Sequence, residues 1–241
     1  MATDATTIDA LMEAASERLL ATSYFDAARL CRRAISIACK QRDWDRAARI
    51  AMPLMEARRQ IRQIAVDAGI VRIIDTPAQL RRKPEPGCYL FQPPLIGAEA
   101  RSFRLDAEKR RVPVFVLTRE PMTADGRWPV VGVSSMSVRT KLAPPPGVEP
   151  HPDGPTRDRI SDGISMRWFE AAAEALGDAA IESVDRSDPA VFQVEDTIER
   201  LEAVPEHEKL HQLLEATARQ ADREPPPSAP RRRRMGHPFS F

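Results

Sequence analysis

His207-Glu208-Lys209-Leu210-His211 is the one run whose residue types and spacing together could do chemistry. On a helix, imidazoles at i and i+4 share a face and can ligate zinc. The glutamate between them can serve as general base toward a metal-bound water. The context works against that use. Pro205 and Glu206 precede the run, which puts His207 in the first helical turn, and Lys209 puts a charge where such helices are apolar. The downstream carboxylates are Glu215, one turn away on the same helix, and Glu224 at the border of a polar tail. The expectation is a charged, solvated helix start with no metal and no cofactor. His207, Glu208 and His211 form the alternative catalytic set, that of a zinc-dependent metallohydrolase. Ser134, Ser135 and Ser137 lack the Gly-x-Ser-x-Gly context of a nucleophile elbow. The 10 glycines are scattered at turns and form no phosphate-cradling loop.

The second chemical signal is arginine at helical spacing. Arg29, Arg32 and Arg33 form one group, Arg42, Arg46 and Arg49 a second, and Arg58, Arg59 and Arg62 a third. Residues 27–66 carry 10 basic and 3 acidic side chains. Such faces suit phosphates, RNA or an acidic protein. They suit equally well an acidic stretch of the same chain, and one exists: residues 151–224 carry 18 acidic and 8 basic side chains. Nucleic acid is the less favoured partner, because only Trp44 is interleaved with the arginines as a stacking platform. Arg231, Arg232, Arg233 and Arg234 form a further basic run that could dock on a partner or an anionic surface. The candidate partner-binding residues are therefore Arg29, Arg32, Arg33, Arg58, Arg59, Arg62 and Arg231 to Arg234.

These residues must be positioned by elements, and the period of the apolar residues delimits them. Ile8, Leu11, Met12, Ala15 and Leu19 trace one amphipathic helix. Tyr24-Phe25-Asp26-Ala27 opens a second, with Leu30, Cys31, Ala34, Ile35 and Ala38 on its stripe. Asp43-Trp44-Asp45 opens a third, with Ala47, Ile50, Ala51 and Leu54. Pro53 predicts a kink or break near Met52, since proline removes a hydrogen bond and clashes with the preceding turn. Gly69 is a C-cap candidate. From residue 70 the period shortens. The runs 71–73, 88–91, 102–105, 112–117, 129–133 and 137–142 read as short strands separated by turn clusters. Asp125-Gly126 joins two of them as antiparallel neighbours. Residues 144–163 are a proline-rich linker, and helical periodicity returns from Ile164 in three acidic helices. Residues 223–241 (opening REPPPSAPRRRR) carry no apolar period and read as a disordered tail. The basic N-terminal and acidic C-terminal helices are expected to pack on each other, with the β unit inserted between them.

The expected class is thus α+β: an N-terminal α-hairpin bundle (1–69), a small, mostly antiparallel β unit (70–143), and C-terminal helices (164–222) packing back on the helical part. Three cysteines suggest no disulfide framework. Cys31 and Cys39 read as small core residues. The start MATDATTIDA lacks a basic region followed by an apolar core, and no run approaches a membrane span, which points to a soluble, cytoplasmic protein.

Residues 11–35 resemble one unit of the tetratricopeptide family. Leu11, Ala14 and Ala15 match its first helix, and Tyr24, Ala27, Cys31 and Ala34 match its turn aromatic and second helix. Arg18 stands at a position usually aromatic, and Cys39 replaces the closing proline. The next aromatic-x-x-Ala begins at Trp44, closer than the family's repeat of about 34 residues. The resemblance implies an α-hairpin scaffold and a protein partner. The expected function is a non-enzymatic protein–protein interaction or scaffold role. The metallohydrolase and a binder of an anionic polymer through the basic faces are the alternatives.

Overall fold

The computed structural model describes residues 2–148 and 163–227, with side chains from Thr7 onward. Most of the proline-rich linker, the tail from residue 228 and Arg231 to Arg234 lie outside the described residues.

The chain opens with α1 (Ala2–Leu20), α2 (Tyr24–Gln41) and α3 (Trp44–Asp67). The break before α3 is built by Arg42, whose backbone turns left-handed at φ +57°, and by Asp43, whose carboxylate accepts from the Arg46 N–H at 3.1 Å. The seams between these helices are lined by alanine. Ala27, Ala34, Ala38, Ala47, Ala51 and Ala57 are fully buried. Small side chains there let the helix axes approach closely. The expected break at Pro53 is absent: α3 runs unbroken through it. Ile50, Ala51, Leu54 and Ala57 are buried on either side of the proline. That packing offsets the roughly 3 kcal/mol an interior proline costs. Gly69 follows the helix end at φ +67°, a C-terminal stop that glycine adopts without strain.

The β unit is a five-stranded sheet in the order β1 (Val71–Ile74), β2 (Gly87–Phe91), β3 (Val114–Arg119), β4 (Trp128–Val133), β5 (Ser137–Leu142). It is mixed, where a mostly antiparallel sheet was expected. β1, β2 and β3 pair in parallel, while β3, β4 and β5 pair antiparallel. The reason is a helix hidden in a strand-like run. Residues 102–105 alternate locally, yet they lie inside α5 (Gly97–Lys109), whose buried residues Ala100, Phe103, Arg104 and Ala107 keep helical spacing. Glu99 Oε2 accepts from the Ile96 N–H at 2.9 Å and secures the first turn. α5 is the crossover between β2 and β3, and a crossover of this kind makes neighbouring strands parallel. The one-turn α4 (Pro77–Leu80) lies in the connection from β1 to β2, capped by Thr76. The expected hairpin across Asp125-Gly126 is present, with Gly126 at φ +75°.

Both faces of the sheet are covered. Cys88, Leu90, Phe115, Leu117 and Val130 belong to the large core shared with the helical layer. Tyr89, Phe91 and Val114 point the other way, onto Phe103 and Ala107 of α5. The interior strand β2 is consequently buried along its whole length. The chain ends in α6 (Met166–Glu182), α7 (Ala190–Ala203) and α8 (Glu208–Arg223). Phe169 of α6 meets Phe115 edge-on, and Trp168 meets Trp128 likewise. α8 packs along α3. The C-terminal helices therefore return to the N-terminal bundle, as the complementary charge of the two stretches implies.

The alanine seam gives a direct test. Ala51→Leu forces a larger side chain into a fully buried site and should destabilise by about 1–3 kcal/mol. The urea midpoint is expected to fall with the slope unchanged. A midpoint equal to wild type would show that the seam has room.

Candidate functional site

α3, α5, α7 and α8 converge on a group of buried charges. Arg58 of α3 donates to both oxygens of Glu108 of α5 at 3.3 Å. Arg32 of α2 binds the same carboxylate from its outer side. Burial opposes ionisation of Glu108, but the charges of Arg58, Arg32 and Arg104 outweigh it and hold the carboxyl at about 2. Arg104 of α5 is itself buried and donates to the Glu202 carbonyl at 2.9 Å. Burial pulls its guanidinium below the ordinary value, opposed chiefly by Glu206.

Arg104 separates two cavities, and the H-E-x-x-H run is divided between them. The first, about 550 Å³, lies against β3, β4 and α6 and takes in Arg62, Arg104, Arg167, Glu206 and His207. The second, about 580 Å³, lies between α2, α3, α5, α7 and α8 and takes in His211. His207 is the N-cap of α8, so its ring leaves the helix axis in a different direction from that of His211. The histidines are not a solvated helix start: both are buried. His207 lies over Gly177 of α6, the mid-helix residue where a Cβ would come within 2.1 Å of the ring. Its nitrogens lie 3.5 Å from Glu174 and 3.6 Å from Asp178. His211 Nε2 is 2.9 Å from the Pro205 carbonyl, which can only accept, so that nitrogen holds the proton. Glu208 points to neither ring and pairs with Arg62 at 2.5 Å.

Glu174, Asp178 and His207 are the one group of three or more His, Cys, Asp or Glu among the described residues whose donor atoms lie within 4.8 Å of one another, as a metal site requires. The group contains neither Glu208 nor His211. Lys209 already provides its cation, with Nζ 2.6 Å from Glu174 and 3.0 Å from Asp178. The three residues fit an ammonium-bridged carboxylate pair at least as well as an ion site.

Most of the arginines singled out by spacing are paired within the chain. Arg29 binds Asp26, Arg59 binds Glu56, Arg46 binds Asp9 and Asp43, and Arg62 reaches Glu208 and the Glu206 carbonyl. Arg32 and Arg58 turn inward to Glu108. Arg33 is exposed and makes no ion pair among the described residues. Sequence reasoning missed Arg101, Arg104, Glu108, Glu174 and Asp178. Reading 97–109 as a helix would have placed Arg101, Arg104 and Glu108 on one side at i, i+3 and i+7. The cysteines Cys31, Cys39 and Cys88 are free, and burial pushes their thiols up to about 12, 11 and 12. Thiols so protonated are poor nucleophiles. Cys31 is core as expected, whereas Cys39 is half-buried at the second cavity.

Compared with family models, curated proteins and solved structures, the chain has no match.

Two outcomes follow from the histidines. Burial, with Arg58 and His207 adding to it against the Pro205 contact, lowers His211 to about 4. The unfolded imidazole titrates near 6.5, so between those values the unfolded chain binds more protons. Stability contributed by neutral His211 is complete above about pH 6.5 and lost as pH falls toward 4, a change on the order of 3 kcal/mol. Glu108 acts in a lower window, below its ordinary value near 4.5. Urea unfolding across pH 7 to 4 should show the first loss in wild type and a flatter profile in His211→Gln. An equal slope in both would remove His211 as the cause. Separately, Gly177→Ala should displace the His207 ring and cost about 1–3 kcal/mol. An unchanged His207 imidazole resonance in that variant would contradict the packing.

Proposed function

We propose that this chain is a non-enzymatic interaction protein in which the helical bundle is the scaffold. The observation that carries this reading is the fate of His207-Glu208-Lys209-Leu210-His211. His207 and Lys209 lie against Glu174 and Asp178, Glu208 pairs with Arg62, His211 is held by the Pro205 carbonyl, and the two imidazoles serve different cavities. The alternative of a zinc-dependent hydrolase needs both rings and Glu208 to converge on one point. The alternative of an anionic-polymer binder needs open arginine faces, and Arg32, Arg58 and Arg62 face their own acids. The surface that suits a protein partner is the outer face of α2, where exposed Arg33 shares one side at i, i+4 with Arg29, which is exposed but paired with Asp26. This surface and the α-hairpin resemblance support a scaffold role. No described helix is long and apolar enough to cross a membrane.

A photo-cross-linking residue in place of Arg33, compared with one in place of Gln63 on exposed α3, tests the proposal. A discrete protein adduct from position 33 alone is expected. Adducts equal at both positions would remove α2 as the partner face. Stoichiometric zinc that disappears in His211→Ala would overturn the non-enzymatic reading. Binding of a generic RNA that weakens steeply with salt would favour the polymer alternative.

A further inference from the structure

The second cavity has the construction of a ligand site. Its volume of about 580 Å³ falls in the range of small-molecule pockets, about 300–1,000 Å³. Its charges do not balance. Arg32, Lys40, Arg58, Arg101 and Arg104 face it, against Glu195 and Glu202. Glu108, behind the wall, neutralises only part of the difference. Between the charges lie apolar surfaces from Ile35, Leu54, Ile198 and Leu214. A half-open, partly apolar pocket of this volume with excess cations favours a compact organic anion over a polymer.

Two unsatisfied atoms sharpen this. Arg101 Nε is buried and has no hydrogen-bond partner. His211 is 2% exposed, and its Nδ1 is likewise without a partner. Because Nε2 gives its proton to the Pro205 carbonyl and the buried ring is neutral, Nδ1 is an acceptor. Leaving such an atom buried and unmatched costs about 1–3 kcal/mol, which a ligand donor would recover. Arg104 spends one of its N–H groups on the Glu202 carbonyl and retains others.

We propose that this cavity binds a small organic anion that also carries a hydroxyl group. The anionic end lies against Arg101 and Arg104, the hydroxyl donates to His211 Nδ1, and the hydrocarbon between them packs on Ile35, Leu54 and Leu214. This site is separate from the α2 face proposed for a protein partner, and either can fail without the other.

The test uses the full chain and a matched series of probes. Calorimetric titration is run with hydroxybenzoates, ω-hydroxyalkanoates, their methyl esters, their analogues lacking the hydroxyl, and hydroxyphenyl phosphate. Saturable one-to-one binding by at least one hydroxylated anion is expected, with a Kd below about 1 mM. Loss of the hydroxyl or of the charge should each weaken it about tenfold. The phosphate arm distinguishes a carboxylate from a phosphate head. Arg101→Met, whose side chain makes no hydrogen bond to the rest of the described protein, should fold as wild type and bind about tenfold more weakly. The imidazole nitrogen spectrum of wild type should show His211 Nδ1 shifting on saturation. The proposal is overturned if no probe binds below about 1 mM, if neutral esters bind as well as anions, or if Arg101→Met binds equally. Binding with an unmoved Nδ1 signal would overturn the hydroxyl assignment.

Discussion

The Arg58–Glu108 pair is the contact on which the rest of the arrangement depends. It joins α3, the longest helix of the bundle, to α5, the crossover of the sheet. Both side chains are largely withdrawn from water, and neither charge is tolerable there alone. Removing one partner of a buried pair leaves a charge whose desolvation is uncompensated, a loss of several kcal/mol. The pair is therefore better regarded as a constraint on how the layers register than as a source of net stability. Arg32 closes it from α2, and Arg104 stands beside it on α5. Two helices of the bundle and the sheet's crossover are tied at one carboxylate.

That constraint also accounts for the two cavities. Guanidiniums are long and planar, and they cannot interdigitate as densely as the alanines that line the α1–α2–α3 seams. Where α5, α7 and α8 meet the bundle, arginine side chains keep the helices apart and leave space on either side of Arg104. The first space is shared with the sheet and is balanced by Glu170, Glu174 and Glu206. The second is walled by helices and keeps a cationic excess. The helical seams are therefore dense, while the polar junction stays open enough for a ligand.

The acidic C-terminal segment is both structural and electrostatic. α8 buries Leu210, Leu213, Leu214 and Ala218, while Glu208 meets Arg62 at its first turn. Apolar burial supplies the adhesion, and the exposed ion pairs around it contribute about 0–1 kcal/mol each. The opposite charge of the two stretches favours this pairing over any that would bring like charges together.

The amino-acid sequence by itself determined the helices whose apolar period runs over many residues, their openings at Tyr24-Phe25-Asp26 and Asp43-Trp44-Asp45, the return of helix from Ile164, the stop at Gly69, and the hairpin at Asp125-Gly126. Those features depend on neighbours a few residues apart. It also determined that basic and acidic helices would meet. Only the tertiary structure decided that 102–105 belong to a helix, because a four-residue alternation is equally compatible with a strand until Ala100 and Ala107 find the sheet. That one helix decided the parallel half of the sheet. The tertiary structure likewise decided which way each arginine turned and separated His207 from His211. A cap position and a position one turn into the helix look alike in a five-residue motif. They aim side chains differently once Gly177 receives one ring and the Pro205 carbonyl holds the other. Spacing along the chain records which residues could share a face, but partners from α5 and α6, far away in sequence, determine what each face meets.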